Sequence, residues 1–199
     1  MGPTGSQSET AMSPDPARRR VFARIILAYP VALTAVAVLV NLVLFDPSPP
    51  VAALPASGIL WALIGAAVLL VINHSWLMTS TELTRLAHGI RTTPEEWQAS
   101  AHAKSAVAEI GWQELERRQN AHRNTTENLA VFTFAALAVS FASPDIGAAQ
   151  LWILAFALAR LGHGLGYLTG HDGLRGLSMS LGLIALYGLV SLPLLGLLV

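Results

Sequence analysis

The strongest constraint on this chain is a series of long apolar runs. Five segments, Ile25–Phe45, Ser57–Met78, Glu127–Ala142, Ala149–Thr169 and Gly176–Val199, are rich in Leu, Ala, Val and Ile and poor in charge. Each approaches the ~20 residues needed to cross the hydrocarbon core of a bilayer as a helix. No water is available there, so backbone groups must pair within the segment, and the runs are predicted to be helices. The fold class is therefore all-α, a polytopic membrane helix bundle. The third run is marginal in length and is predicted to extend upstream into a polar helix that begins near Gln113. Pro30 falls near the start of one helix and Pro193 near the end of another, where a missing N–H is tolerated.

Charge is scarce and unevenly placed. Hydrophobic residues make up 53% of the chain and charged ones 12%, against roughly 25% charged in soluble domains. The charges gather between the apolar runs. Net charge is zero, so the electrostatic footprint of a nucleic-acid binder is missing and no nucleic-acid partner is expected. There is no cysteine, which excludes disulfide scaffolds, thiolate metal sites and a cysteine nucleophile. Any thiol chemistry must use a thiol brought by a small molecule. His122 and His163 have no matching ligand spacing, so no metal site is expected.

The cations set the expected topology. Residues 1–24 read as a disordered basic N-terminal tail, rich in Gly, Pro and Ser over 1–17 and ending in Arg18, Arg19, Arg20 and Arg24. With that tail in the cytoplasm and five spans threaded, the exterior loops Asp46–Ala56 and Ser143–Gly147 hold no Lys or Arg. The interior loop from about Thr79 to Asn124 holds Arg85, Arg91, Lys104, Arg117, Arg118 and Arg123. Of twelve cations, only Arg160 lies within a span. A secretory signal is the alternative reading of the first segment, but its 21-residue run exceeds the usual apolar region of about 7–15 residues. Asp46-Pro-Ser-Pro-Pro is also a poor cleavage context.

Two polar stretches do not suit an inert bundle. In the first, Asn120, Arg123, Asn124 and Glu127 stand at i, i+3, i+4 and i+7, one stripe of a helix. Arg123 and Glu127 could simply form a surface ion pair. In the second, Arg160, His163 and Tyr167 recur at i, i+3 and i+7. An arginine at mid-membrane costs about 2.5–3.5 kcal/mol on insertion scales, so Arg160 is expected to face protein or a cavity and to have an acidic partner. Glu127 is the acid placed at that depth, and a bridge between them could be purely structural. Gly162, Gly164 and Gly166 interleave the face and allow close helix approach. Guanidinium groups suit carboxylates and Glu127 suits an ammonium, so the expected ligand is small and zwitterionic.

At these residues the chain resembles the MAPEG family, membrane-associated proteins in eicosanoid and glutathione metabolism. The resemblance rests on Glu116-Arg, Ala121-His-Arg-Asn, Glu127-Asn, Ser143-Pro-Asp, Ala159-Arg, His163, Tyr167-Leu-Thr and Leu174-Arg-Gly-Leu-Ser178, in matching order and spacing over about residues 57–199. It implies a four-helix membrane domain over 57–199, with 25–45 as one extra N-terminal transmembrane helix. It also implies a homotrimer with glutathione, or another low-molecular-weight thiol, bound between subunits on the cytoplasmic side. By position, Arg85, Asn120, Arg123, Asn124, Glu127, Arg160, His163 and Tyr167 are the implied thiol pocket. Arg175 is the implied catalytic residue, an arginine that stabilises the thiolate. The implied activity is thiol transfer or peroxidase chemistry on hydrophobic electrophiles or lipid hydroperoxides that arrive from the bilayer. Three departures stand out: the extra helix, Asn120 where the eicosanoid enzymes often have Arg, and Gly176 after Arg175 where prostaglandin E synthase has Ser. The last puts prostaglandin isomerisation in doubt. The alternative is a non-catalytic lipid- or thiol-binding membrane protein, which would have no need of a thiolate-stabilising Arg175. A transporter is disfavoured, because neither an inverted repeat nor a broken-helix signal is present.

Overall fold

The computed structural model describes residues 16–198. They form helices α1 (Pro16–Leu44), α2 (Ser57–His88), α3 (Pro94–Gln98), α4 (Glu109–Ser140), α5 (Ile146–Thr169) and α6 (Asp172–Gly196), with a 3₁₀ turn at Lys104–Ala106. No strand occurs among the described residues, as the backbone argument requires. Among the described residues, four helices are long and apolar enough to cross a membrane: Arg20–Leu44 within α1, then α2, α5 and α6. α4 matches α2 in length at 32 residues, but its first half is charged. The third apolar run is thus the second half of a longer helix, which starts at Glu109 rather than near Gln113.

Two compact units make up the structure, one ending at Ala32 and the other starting at Leu33. In the first, the described residues are helical, with Arg18, Arg20 and Arg24 on the opening turns of α1. Residues 16–24 are therefore helix and not a disordered tail, and the expectation for residues 1–15 lies outside the described residues. The reason is cooperative: once a helix is nucleated, each further residue adds a bond, and Ala and Arg propagate it well. The upstream start also puts Pro30 inside α1 rather than near its beginning.

The second unit is a bundle with an Ala-rich interior. Ala62 and Ala66 of α2, Ala135 and Ala136 of α4, Ala149 and Ala157 of α5 and Ala185 of α6 are all buried in one core. Small side chains let helix axes approach closely in lipid, where no hydrophobic drive exists between helices. Phe132 and Phe156 stack at the centre, their rings 4.0 Å apart and 3° from parallel. Short connections make α4, α5 and α6 antiparallel neighbours. Asp145 caps α5 by accepting from the Ala148 N–H at 2.8 Å, and Gly170 ends α5 at a positive φ of 69° that an L side chain rarely adopts.

The segment from Leu33 to Ala56 belongs to this bundle. Leu33, Ala37 and Asn41 are buried at i, i+4 and i+8 on α1. Asn41 donates to the Gly188 carbonyl at 2.8 Å and the Ser191 hydroxyl at 2.9 Å, and accepts from the Trp152 indole at 2.8 Å. Beyond α1, the Val51 and Ala53 N–H groups donate to the Ala142 and Phe141 carbonyls at the end of α4.

Candidate functional site

At the end of the bundle where α4 begins and α5 turns into α6, the polar residues of the two stretches meet. Arg160 is 0% exposed. Its Nη1 donates to Asn124 Oδ1 at 3.1 Å, its Nη2 reaches Met179 Sδ at 3.5 Å, and its guanidinium stands 5.4 Å over the Phe156 ring. A Cβ on Gly182 would lie 2.7 Å from Nη2, so this glycine leaves α6 room for the guanidinium. His163, 3% exposed, packs edge-on against Tyr167 at 5.1 Å. The Arg175 guanidinium covers the Tyr167 ring at 5.1 Å and pairs with Asp172 at 3.2 Å. A Cβ on Gly166 would come within 2.6 Å of the Arg175 backbone nitrogen. That close passage of α5 past α6 brings Tyr167 and Arg175 together.

Above this stack lies an open cavity of about 380 Å³, lined by Gln113, Glu116, Arg117, Asn120, Tyr167 and Arg175 among others. It is polar and carries both charge signs, which suits a zwitterion. Glu114, one turn before Arg118 on α4, accepts from that guanidinium and also pairs with Arg117 at 3.6 Å. The Arg118 hydrogen bond holds the Glu114 carboxyl below its ordinary pKa of 4.5, against the opposing effect of burial, with the Arg117 charge adding to the lowering.

The expected residues do not all converge in the single chain. Asn120, Tyr167 and Arg175 line the cavity, and the buried Arg160 and His163, with the half-buried Asn124, pack with them. Arg123 donates to Asn120 Oδ1 at 2.6 Å rather than pairing with Glu127. Together with Arg85 it lines a separate groove of about 280 Å³ between α2 and α4. Arg85 pairs with Glu82 at 2.6 Å. Glu127 is exposed, and among the described residues no ion pair joins it to Arg160, contrary to expectation. Asn124 takes its place because a neutral amide accepts from the guanidinium without a second charge being desolvated. Gln113, Glu116 and Arg117 were not among the expected site residues. The signal was available: with Asn120 and Asn124 they continue one stripe at i, i+3, i+4, i+7 and i+11. Among the described residues there is no cluster of three His, Asp or Glu that could hold a metal ion.

Comparison with known proteins points the same way. Residues 63–195 match the MAPEG family. The prostaglandin E synthase of Canis lupus familiaris is 33% identical over 120 residues, covering 60% of this chain and 76% of that protein. The microsomal glutathione S-transferase 1 of Rattus norvegicus is 28% identical over 112 residues, covering 56% and 72%. That of Sus scrofa is 29% identical over 104 residues, covering 52% and 67%. α1 lies outside the matched family region.

Proposed function

The chain belongs to the MAPEG family, and from that premise we propose that this integral membrane protein is a glutathione-type transferase or peroxidase. Its acceptors would be hydrophobic electrophiles or lipid hydroperoxides dissolved in the bilayer. The observation that carries the reading is the position of Arg175, over Tyr167 and on the wall of a cavity that also presents Glu116 and Arg117. Carboxylates of a thiol tripeptide would pair with Arg117, and its ammonium with Glu116. A free thiol with pKa about 8.5 is mostly protonated at neutral pH, and a neighbouring cation favours the thiolate. In the transferase reaction the thiol proton leaves to solvent, the thiolate sulfur forms a bond to the electrophilic carbon, and that carbon's leaving group departs with the displaced electron pair. In the peroxidase reaction two thiols become a disulfide as the hydroperoxide is reduced to an alcohol and water. Arg85 and Arg123 line the α2–α4 groove and Glu127 is exposed, and all three would join the pocket through a neighbouring subunit of a trimer. The active site and N-terminus would lie on the cytoplasmic side, as the cation distribution argues, with α4 as the fifth span.

One observation favours the second reading, a non-catalytic thiol- or lipid-binding protein. Arg175 already pairs with Asp172, which offsets part of its charge. A titration separates the two. Thiolate absorbance of the glutathione complex is followed against pH for wild type, Arg175→Ala and Arg175→Lys, beside turnover of a generic aromatic electrophile. The transferase reading expects a higher thiolate pKa in Arg175→Ala, a turnover loss of roughly a hundredfold or more, as for one preorganised charge, and partial recovery in Arg175→Lys. Equal thiolate pKa values in all three proteins raise the binder above the transferase.

A further inference from the structure

A second cavity at this end of the bundle is larger than the one over Tyr167. It has a volume of about 650 Å³ and lies between the last turns of α2, the 89–108 connection and the first turns of α4. Its wall presents three cations, Arg85, Arg91 and Lys104, and two indoles, Trp97 and Trp112, against a single acid, Glu116. Among the described residues neither Arg91 nor Lys104 is in an ion pair, and the buried Arg85 Nε has no hydrogen-bond partner. Only Glu116 is shared with the cavity over Tyr167.

The connection that forms this wall is held in place by its own contacts. Gly89 closes α2 at a φ of 64°, and the chain turns back over the buried Ile90. The Thr93 side chain caps α3 by accepting from the Glu96 N–H, and the Glu96 carboxylate accepts from the Thr92 N–H at 2.9 Å. Trp97 packs on Trp112 at 6.4 Å, and Lys104 lies 5.3 Å over the Trp112 ring. These contacts order the backbone of the connection and hold Lys104 on Trp112, so the hollow is preformed and less ordering is needed when a ligand enters. α2 is about 48 Å long by its 32 residues, well beyond a hydrocarbon core of about 30 Å. Its last turns, with Arg85, therefore extend past the apolar layer, and the exposed Leu83 and Leu86 beside them suit its border.

We propose that this cavity is a second ligand site, for an amphipathic organic anion whose carboxylate or phosphate meets Arg85, Arg91 and Lys104 while its apolar or aromatic body lies on Trp97 and Trp112. The volume is that of a site for a small organic molecule and far exceeds one inorganic anion. Guanidinium groups pair with carboxylate and phosphate through a planar fork, and indole faces take apolar or planar groups. The same chemistry could come from an anionic membrane lipid or from a water-soluble aryl carboxylate. Arg85 is common to this site and to the proposed thiol pocket, but neither Arg91 nor Lys104 belongs to that pocket, so variants at those two positions separate the readings.

The test uses the full chain in phosphatidylcholine nanodiscs, with tryptophan fluorescence as the readout. One arm titrates a naphthyl carboxylate into the aqueous phase, and the other replaces part of the phosphatidylcholine with phosphatidic acid. Saturable quenching in either arm, weakened about tenfold or more in Arg91→Gln/Lys104→Gln and restored towards wild type in Arg91→Lys/Lys104→Arg, is the expected result. The responding arm identifies the source. A far-ultraviolet circular dichroism spectrum of the same double variant that matches wild type shows that the protein has remained folded. No saturable response in either arm, or equal affinity in wild type and the Gln double variant, overturns the proposal.

Discussion

The indole N–H of Trp152 donates to Asn41 Oδ1 at 2.8 Å, a contact between helices 111 residues apart in sequence. Asn41 is 0% exposed, and its amide nitrogen completes the set on the Gly188 carbonyl and the Ser191 hydroxyl of α6. A fully paired amide in a membrane interior fixes one register, because any slip of the helix leaves polar groups without partners in hydrocarbon. Gly188 makes room for the arrangement, since a side chain there would collide with the Trp152 indole.

Asn41→Leu should therefore lower stability by about 1–3 kcal/mol, the cost of leaving the Trp152 donor and its neighbours buried and unsatisfied. Thermal unfolding in detergent measures the loss. Hydrogen exchange of the Trp152 indole, followed by NMR, locates it. An unchanged midpoint together with an unchanged exchange rate would show that α1 does not depend on this contact.

Two glycines of the α5–α6 region should respond in opposite ways to the same added methyl. Gly166→Ala places a Cβ 2.6 Å from the Arg175 backbone nitrogen, and backbone cannot swing aside. The two helices must separate, at a cost of about 1–3 kcal/mol typical of overpacking. Gly173→Ala meets nothing within 4 Å, and alanine is the better helix former by about 1 kcal/mol. Unfolding midpoints for the two variants should fall on opposite sides of wild type.

The Arg160–Asn124 hydrogen bond, rather than an Arg160–Glu127 bridge, should carry the local stability. Asn124→Leu removes the acceptor from a buried cation and should cost about 1–3 kcal/mol. Glu127→Gln, at an exposed position, should stay within about 0.5 kcal/mol of wild type. Denaturant unfolding of both variants, with Arg160→Met and the Asn124→Leu/Arg160→Met double variant to close a cycle, reads the coupling directly. Comparable losses from the two single changes would favour the bridge.

Acid should weaken the start of α4 through Glu114. The Arg118 hydrogen bond lowers its folded-state pKa below 4.5. Its stabilising contribution is therefore fully present above the unfolded value and is lost as pH falls through the folded one. In Glu114→Gln that contribution is missing at every pH. The difference in unfolding midpoint between wild type and Glu114→Gln should thus be constant from neutral pH down to about 5 and shrink below 4.5. A difference that grows on acidification would contradict this.

Much of the molecule was legible in the sequence. The long apolar runs between charged stretches required helices, since hydrocarbon offers the backbone no other partners. The recurrence of Arg160, His163 and Tyr167 marked one face of one helix, and the structure buries or partly buries all three. Even the residues overlooked at the cavity, Gln113, Glu116 and Arg117, continued a stripe already recognised.

Partner choice was not legible, because periodicity gives a residue's face but not what lies opposite. Arg160 was assigned an acid on charge alone, whereas the fold sets it against Asn124, a pairing decided by the depth at which α4 and α5 cross. Periodicity places Arg85 on one face of α2, but only the turn at Gly89 closes the 89–108 connection over it and sets it on the wall of a second cavity. In the sequence Asn41 is simply one polar residue in an apolar run. Its role exists only once α5 and α6 bring Trp152, Gly188 and Ser191 within hydrogen-bond reach. Local sequence determined the helices and their polar faces, since both follow from short-range backbone and side-chain spacing. Pairings between residues over a hundred positions apart depend on how those helices pack, and only the tertiary structure decided them.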